Sequence, residues 1–228
     1  MQKLINSLER KLYRYRIPPI MKYIIYAMAG VFVLDLLFAS STAYSYRFSL
    51  ISHLMLSTNA ILHGQIWRLV TWIFIPDSSS MLWLLLSLYF YFMVGTTLEN
   101  RWGTRRFLIY LVIGAVANII GAFVAHLLCG YGIGTNAYLF YSLFLAFAAL
   151  YPDAEFLLFF VLPVKAKWLA LIDLLYFLSA IFFGGLQMRC AAIASLVNVM
   201  LFFGDDLYRL CRRTIDQFNR RRSFHNYR

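Results

Sequence analysis

A chain of 228 residues that is 62% hydrophobic and only 14% charged cannot cover itself with a polar surface in water, because soluble domains carry about 25% charged residues. The composition excludes an ordinary soluble domain and predicts a bilayer environment. We expect the net charge of +11, carried by tails and short connections, to set membrane orientation and to contact anionic lipid headgroups rather than nucleic acid.

The N-terminal segment, residues 1–19, is basic and is predicted to lie on the cytoplasmic membrane surface. Apolar residues recur at helical spacing in its first half, and Pro18 and Pro19 end that pattern. The apolar stretch 20–39 that follows is long enough to span the hydrocarbon core. A cleaved signal peptide is the competing interpretation, and we disfavour it because its removal would leave an odd number of spans.

Five further spans are predicted after the mixed segment 41–79, which is too broken to span and is interpreted as an ordered external loop. The apolar runs that define these spans are 78–98, two within 107–152, about 168–186 and about 190–204. The predicted fold class is therefore all-α, a polytopic bundle of six transmembrane helices over residues 20–206. Residues 207–228 form a basic segment that is predicted to be a cytoplasmic tail.

Basic residues divide unequally between the two sides of this predicted bundle. Only three of the 21 Lys and Arg residues fall on the outer side, namely Arg47, Arg68 and Arg189, which leaves 18 on the inner side. The asymmetry predicts a multi-pass protein with both termini in the cytoplasm. In a bacterium the membrane would be the plasma or inner membrane.

Two carboxylates fall inside predicted spans. Asp35 is near the outer end of the first span, and Asp173 is in the fifth. An intramembrane acid is a candidate functional group, because an unpaired charge in hydrocarbon is costly. The alternative is that each acid reaches water or a hydroxyl near a helix end. We favour that alternative for Asp35, and both interpretations stay open for Asp173.

Several residues near the predicted span ends have structural interpretations. Trp67 is suited to anchor at the membrane interface, and Arg68 needs a partner or water. Glu99 lies near a helix C-terminus, where its charge opposes the helix dipole, so we expect it to pair with a nearby arginine. Arg101 flanks the same end of the span, and Gly103 permits a tight turn.

Four stretches together resemble the rhomboid family of intramembrane serine proteases in their order and spacing. They are 63–71 with its Trp-Arg pair, 95–103, 134–137 beginning at Gly134, and 191–196. The third stands at the place of the family's nucleophile motif, and the fourth at the place of its sixth-span histidine pattern. The resemblance covers about residues 20–205 and implies a rhomboid-like six-helix bundle.

The positions that would carry the family's chemistry all differ in this chain. The resemblance puts Asn136 where the nucleophilic serine stands, Ser195 where its histidine base stands, and Trp83 and Ser87 at the oxyanion-binding positions. An amide is not such a nucleophile, and a hydroxyl is not a base near neutral pH. The resemblance therefore implies an inactive pseudoprotease rather than an enzyme. We also expect Asn136 and Ser195 to hydrogen-bond to each other, since each needs a partner where water is scarce.

The predicted function is the binding of transmembrane segments of client proteins within the bilayer, with residues 177–183 at one side of a lateral opening. Ordinary lipid-facing packing of 177–183 is the equal alternative. An intramembrane serine-type endopeptidase with non-standard catalytic residues is the alternative function. A transporter or channel is disfavoured because no matched pair of broken helices is evident.

No cofactor or metal is predicted, because Cys129, Cys190 and Cys211 form no CxxC pair. A bridge between Cys129 and Cys190 is disfavoured. The expected partners are the lipid bilayer and client membrane proteins, and the client and the oligomeric state stay open.

Overall fold

A computed structural model of the protein describes residues 17–41, 50–76, 80–158 and 162–203. The predicted surface helix near the N-terminus and the predicted tail 207–228 lie outside these residues, as do Arg47 and Cys211. In chain order the elements are α1 (Ile20–Ser41), α2 (Leu50–Leu54), β1 (Leu56–Ser57), α3 (Thr58–Leu62), α4 (Arg68–Thr71), a 3₁₀ turn (Trp72–Phe74), α5 (Met81–Trp102), α6 (Thr104–Cys129), β2 (Ile133–Gly134), α7 (Ala137–Leu150), β3 (Glu155–Leu158), β4 (Leu162–Lys165), α8 (Ala166–Phe183) and α9 (Leu186–Phe203).

Five of these helices, α1, α5, α6, α8 and α9, are long and apolar enough to cross a bilayer. The sixth apolar helix, α7, has 14 residues and is about 21 Å long, which is less than the roughly 30 Å of a hydrocarbon core. The prediction of an all-α polytopic membrane protein is confirmed. The fourth predicted span is this short helix.

The short helix α7 occupies the centre of the bundle. Nine of its residues are buried, and it packs against α5, α6 and α8. Phe140 of α7 stacks on Tyr91 of α5 with ring centroids 4.5 Å apart. Because longer helices surround α7, its length does not have to match the bilayer thickness.

Glycines set the reversals at both ends of α6. Gly103 joins α5 to α6 with φ +81°, and Gly130 ends α6 in the left-handed conformation with φ +79°. A side chain would strain either position, so glycine is the residue that these turns require. Gly103 forms the tight turn that the sequence predicts.

The start of α1 is held by a side chain from α5. Glu99 accepts a hydrogen bond from Ile20 N at 2.7 Å and another from Met21 N at 3.2 Å. The carboxylate thus satisfies two of the free N–H groups at a helix N-terminus, where the dipole favours negative charge. Among the described residues the partners of this carboxylate are these two N–H groups and not an arginine, so the expected arginine pair stays a prediction. Arg101 is exposed.

Two small antiparallel sheets join the connecting segments. Strand β1 pairs with β2, with Leu56 opposite Gly134, and a Cβ at Gly134 would overlap the Leu56 side chain. The second sheet is the hairpin of β3 and β4, which the sequence analysis does not predict. Phe156 of this hairpin packs among aromatic rings of α5 and α7, with its centroid 5.4 Å from that of Phe90.

Candidate binding groove in the membrane domain

A groove of about 620 Å³ lies between α5 and α8, with α7 as its floor. It is mostly apolar and aromatic. Its lining includes Trp83, Ser87 and Phe90 from α5, Phe140, Tyr141 and Phe144 from α7, Glu155 and Phe156 from β3, and Ile172, Asp173 and Tyr176 from α8. Both α5 and α8 pack on α7, and the groove is the space that this arrangement leaves between them.

The groove is open because α8 is anchored along only one side. Phe177 and Ala180 are buried, and the Phe177 ring packs 5.6 Å from that of Tyr138 on α7. The other side of the helix is open, since Ile172 is 62% exposed. From α8 the groove is lined by Leu169, Ile172, Asp173 and Tyr176, and not by residues 177–183. Phe177 faces the core, whereas Phe183 is 90% exposed on another side of the helix. A lateral opening at 177–183 stays a prediction.

Asp173 places a carboxyl group in the wall of this groove. Its Oδ2 atom is buried and has no hydrogen-bond partner in the described part of the chain. Asp173 is the eighth residue of an 18-residue helix, so it lies about 10 Å along the helix axis from the start of α8. Both interpretations of this half-buried acid stay predictions. Asp35 is half-buried on α1 and does not line the groove.

The four positions assigned to the former catalytic machinery do not form one site. Trp83 and Ser87 line the groove, and Ser87 Oγ donates to the Leu84 carbonyl within its own helix at 2.9 Å. Asn136 lies at the start of α7 and Ser195 lies on α9, and neither residue lines the groove.

Asn136 fastens the start of α7 to the 3₁₀ turn. Its Nδ2 donates to the Ile73 carbonyl at 3.1 Å and to the Ile75 carbonyl at 2.7 Å. Ile73 lies in this turn and Ile75 just after it, and the amide supplies donors to both carbonyls. The expected hydrogen bond between Asn136 and Ser195 is wrong, because Asn136 donates to these two carbonyls and Ser195 is paired with Asn118 instead.

Ser195 belongs to a buried polar contact between α6 and α9. Its hydroxyl accepts from Asn118 Nδ2 at 3.1 Å, and Asn198 Nδ2 donates to the Tyr110 carbonyl at 3.3 Å. Gly114 permits this approach, since a Cβ there would lie 2.6 Å from Asn198 Nδ2. Asn118 is not among the residues predicted from the sequence to take part in a polar contact. The signal that would have identified it is an amide inside an uncharged run.

Arg68 is a buried cation with three hydrogen-bond acceptors. Its Nη1 donates to the Ser52 and Met55 carbonyls at 2.7 and 2.8 Å, and its Nε donates to Gln65 Oε1 at 2.6 Å. Burial lowers the pKa of Arg68, but from so high a value that the side chain stays charged. The neighbouring Trp67 is exposed, with its Nε1 3.4 Å from the His53 carbonyl.

A hydroxyl and an imidazole meet at the end of the bundle nearest to β1. Thr58 Oγ1 lies 3.0 Å from His126 Nδ1 and donates to the Gly132 carbonyl at 3.2 Å. The tautomer of the imidazole sets which group donates in the first contact. Sequence spacing gives no sign of this pair, which joins α3 to α6.

The described residues contain no group of three or more His, Cys, Asp and Glu side chains that could hold a metal ion. Cys129 and Cys190 are both free.

The helices and the groove define a polytopic α-helical integral membrane protein. The chain belongs to the family described as "Eukaryotic integral membrane protein (DUF1751)", whose model matches residues 25–202, well over half of the sequence. No curated protein matches the chain.

The assignment to the rhomboid family itself is wrong, because the family model that matches is DUF1751 and no rhomboid-specific model matches. The stretches that carried the resemblance have local structural roles here, such as the cap at Glu99 and the turn at Gly103. Many helical membrane proteins need such caps and turns. The family is eukaryotic, so the bacterial plasma or inner membrane does not apply. The topology with both termini in the cytoplasm stays a prediction.

Proposed function

We propose that this protein is not an enzyme and that it binds a transmembrane helix of another membrane protein in the groove between α5 and α8. The observation that carries the proposal is a groove of about 620 Å³ that is walled by apolar helices and open at its side. A transmembrane helix is about 10 Å across, so the groove receives the side chains of one face of the helix.

The lining of the groove suits a helix better than flexible lipid tails. Aromatic rings from α5 and α7 line the groove, with the Phe90 and Phe144 centroids 5.3 Å apart. Lipid tails are as apolar as leucine, so helix association in a bilayer depends on van der Waals packing and on polar contacts. Rigid rings supply a packing surface of fixed shape, and Asp173 supplies a polar contact.

The absence of enzymatic activity is supported by the state of the buried hydroxyl groups. Ser142, which is deep in α7, donates to the Leu139 carbonyl at 2.7 Å and accepts from the Tyr110 hydroxyl at 3.1 Å. An activated nucleophile requires both a base that accepts its proton and access to a substrate. Ser142 has no base among its hydrogen-bond partners, and Thr58, although it lies 3.0 Å from His126 Nδ1, is fully buried.

The endopeptidase alternative is tested with a fluorophosphonate probe on the purified protein. We expect no covalent labelling. Labelling that disappears when one serine is changed to alanine, with Ser142 and Ser195 tested first, would contradict the proposal.

The binding function is tested by photocrosslinking in native membranes. A crosslinking residue is placed at position 172, which lines the groove, and in a matched variant at position 116 of α6, where Val116 is 49% exposed but does not line the groove. We expect discrete protein adducts from position 172, whose crosslinked peptides map to membrane-spanning segments, and lipid adducts from position 116.

A groove-filling substitution makes this test specific. Ser87→Trp puts a large ring into the groove wall and should abolish the protein adducts from position 172. Adducts that persist in Ser87→Trp, or that form equally from position 116, would contradict binding in the groove.

A further inference from the structure

We propose that Asp173 makes the groove selective for transmembrane helices that carry a lysine or arginine within the hydrocarbon region. This inference rests on the proposed function of the groove. The juxtaposition that carries it is a carboxyl group, one oxygen of which is buried and unpaired, in the wall of an apolar opening that is wide enough for side chains from outside the protein.

The bundle leaves this carboxyl oxygen without a partner although it satisfies other buried charges. Glu99 receives two backbone N–H groups, and Arg68 reaches three acceptors. An unpaired polar atom in apolar surroundings costs free energy, and intramembrane acids pair with other groups where they persist. The missing donor of Asp173 is therefore supplied by whatever enters the groove.

Charge identifies the chemistry of that donor. The groove lining includes two acidic residues, Asp173 and Glu155, and no lysine or arginine. A basic side chain on a bound helix would meet only negative charge there. A lysine or arginine that is buried in a bilayer without a partner also costs free energy. An ion pair with Asp173 would therefore lower the free-energy cost of burying both side chains.

The position of Asp173 also sets a depth. It lies about 10 Å along α8 from the start of the helix, which is well inside a core of roughly 30 Å. A basic residue near the end of a partner helix would extend toward the headgroups instead. The selected helices thus carry their basic residue near the middle of the span.

Other unpaired polar atoms of the bundle do not compete for this role. Asn118 Oδ1, Asn198 Oδ1 and Gln187 Nε2 also lack partners in the described part of the chain. The two asparagines lie at the α6–α9 contact, where Gly114 and Asn198 approach too closely to admit another side chain. Gln187 does not line the groove, and its unpaired atom is a donor. Among the described residues, only the Asp173 oxygen combines burial, an acidic group and an adjacent opening.

The experiment uses the purified full-length chain in phosphatidylcholine vesicles with synthetic transmembrane helices as probes. Each probe is a leucine-rich helix of about 20 residues with either lysine or leucine at its centre. Binding is measured by energy transfer from a donor dye on the protein to an acceptor on the probe. We expect the lysine probe to bind about tenfold more tightly than the leucine probe.

Three variants assign the preference to Asp173. Asp173→Asn keeps the shape and should abolish the lysine preference, whereas Asp35→Asn removes the other intramembrane acid and should preserve it. Asp173→Lys should reverse the preference toward a probe with a central glutamate, a gain that a misfolded variant cannot give. A lysine preference that survives Asp173→Asn would overturn the inference.

The outcomes separate this inference from the function on which it rests. Equal binding of the lysine and leucine probes, lost in Ser87→Trp, refutes selection by Asp173 and leaves helix binding intact. Failure of both probes to bind, or binding that Ser87→Trp does not change, refutes the groove as a helix-binding site and the inference with it.

Discussion

Arg68 and Asp173 are both charged residues with buried atoms, and the two regions that hold them treat charge in opposite ways. Arg68 is 6% exposed and reaches two carbonyls and one side-chain amide of the segment 50–76. Asp173 has a buried oxygen with no partner among the described residues. The segment 50–76 supplies all three of these acceptors, so the charge of Arg68 stabilises the fold. The groove leaves a polar atom unpaired, and this is the feature on which we base the proposal that it binds another molecule.

Packing shows the same contrast between the two regions. Leu56 and Trp72 of the segment 50–76 are fully buried, whereas Ile172 and Tyr176 of the groove are largely exposed. A folded chain gains stability from the first arrangement and nothing from the second. Substitutions should therefore reduce stability in the first region and change it little at the exposed positions of the groove such as Ile172.

The largest expected effect is that of Arg68→Met. The substitution replaces the guanidinium group with an apolar side chain, so the Ser52 and Met55 carbonyls and Gln65 Oε1 lose their donor. We expect a loss of about 3 kcal/mol in the free energy of unfolding, since breaking a buried charged network leaves several groups unpaired. Thermal unfolding in detergent micelles measures it.

Arg189→Met is the matched control for that experiment. Arg189 also donates to two carbonyls, those of Gly184 and Phe182, but it is exposed. Water can replace its hydrogen bonds, so the loss should stay under about 1 kcal/mol. Similar losses for the two variants would show that burial of Arg68 is not what makes its contacts important.

The next effect in size concerns Glu99, which joins α1 to the rest of the bundle. Glu99→Ala removes both acceptors from the start of α1, and we expect a loss of about 2 kcal/mol. Glu99→Gln keeps one acceptor oxygen and should lose about half as much. Asp153→Ala is the control, because its ion pairs with Lys165 and Lys167 are exposed and contribute little. A loss in Asp153→Ala as large as that in Glu99→Ala would contradict this role for the cap.

Much of the architecture follows from the sequence because it depends on short-range properties. Uncharged apolar runs predict the long helices, since the bilayer demands about 20 such residues. Gly103 predicts a turn, because its conformation there is one that other residues rarely adopt. These inferences need no knowledge of which helices are neighbours.

The remaining features depend on long-range neighbours. Glu99 lies 79 residues from Ile20, and Asn118 lies 77 residues from Ser195, so spacing along the chain could not join them. The short length of α7 is tolerated only because other helices surround it. The groove exists only because α5 and α8 both pack on α7 and leave a space between them.

The rhomboid resemblance failed for a related reason. The resemblance rested on four short stretches of sequence. It implied that Asn136 and Ser195 face each other across a single inactive catalytic site. In the structure Asn136 holds the carbonyls of residues 73 and 75, and Ser195 faces Asn118. Each residue has a local partner, and no shared site is needed to account for either.

The smallest expected effect on stability, that of Asp173→Leu, sharpens the contrast with Arg68 most. A partner-less carboxyl oxygen contributes no hydrogen bond to the fold, and leucine removes its desolvation penalty. We expect the free energy of unfolding to stay within about 0.5 kcal/mol of wild type or to rise by up to about 1 kcal/mol. Thermal unfolding in the same micelles as for Arg68→Met gives a direct comparison. A loss of the size seen for Arg68→Met would mean that the carboxyl group is part of the fold, and the groove would then lose its free polar atom.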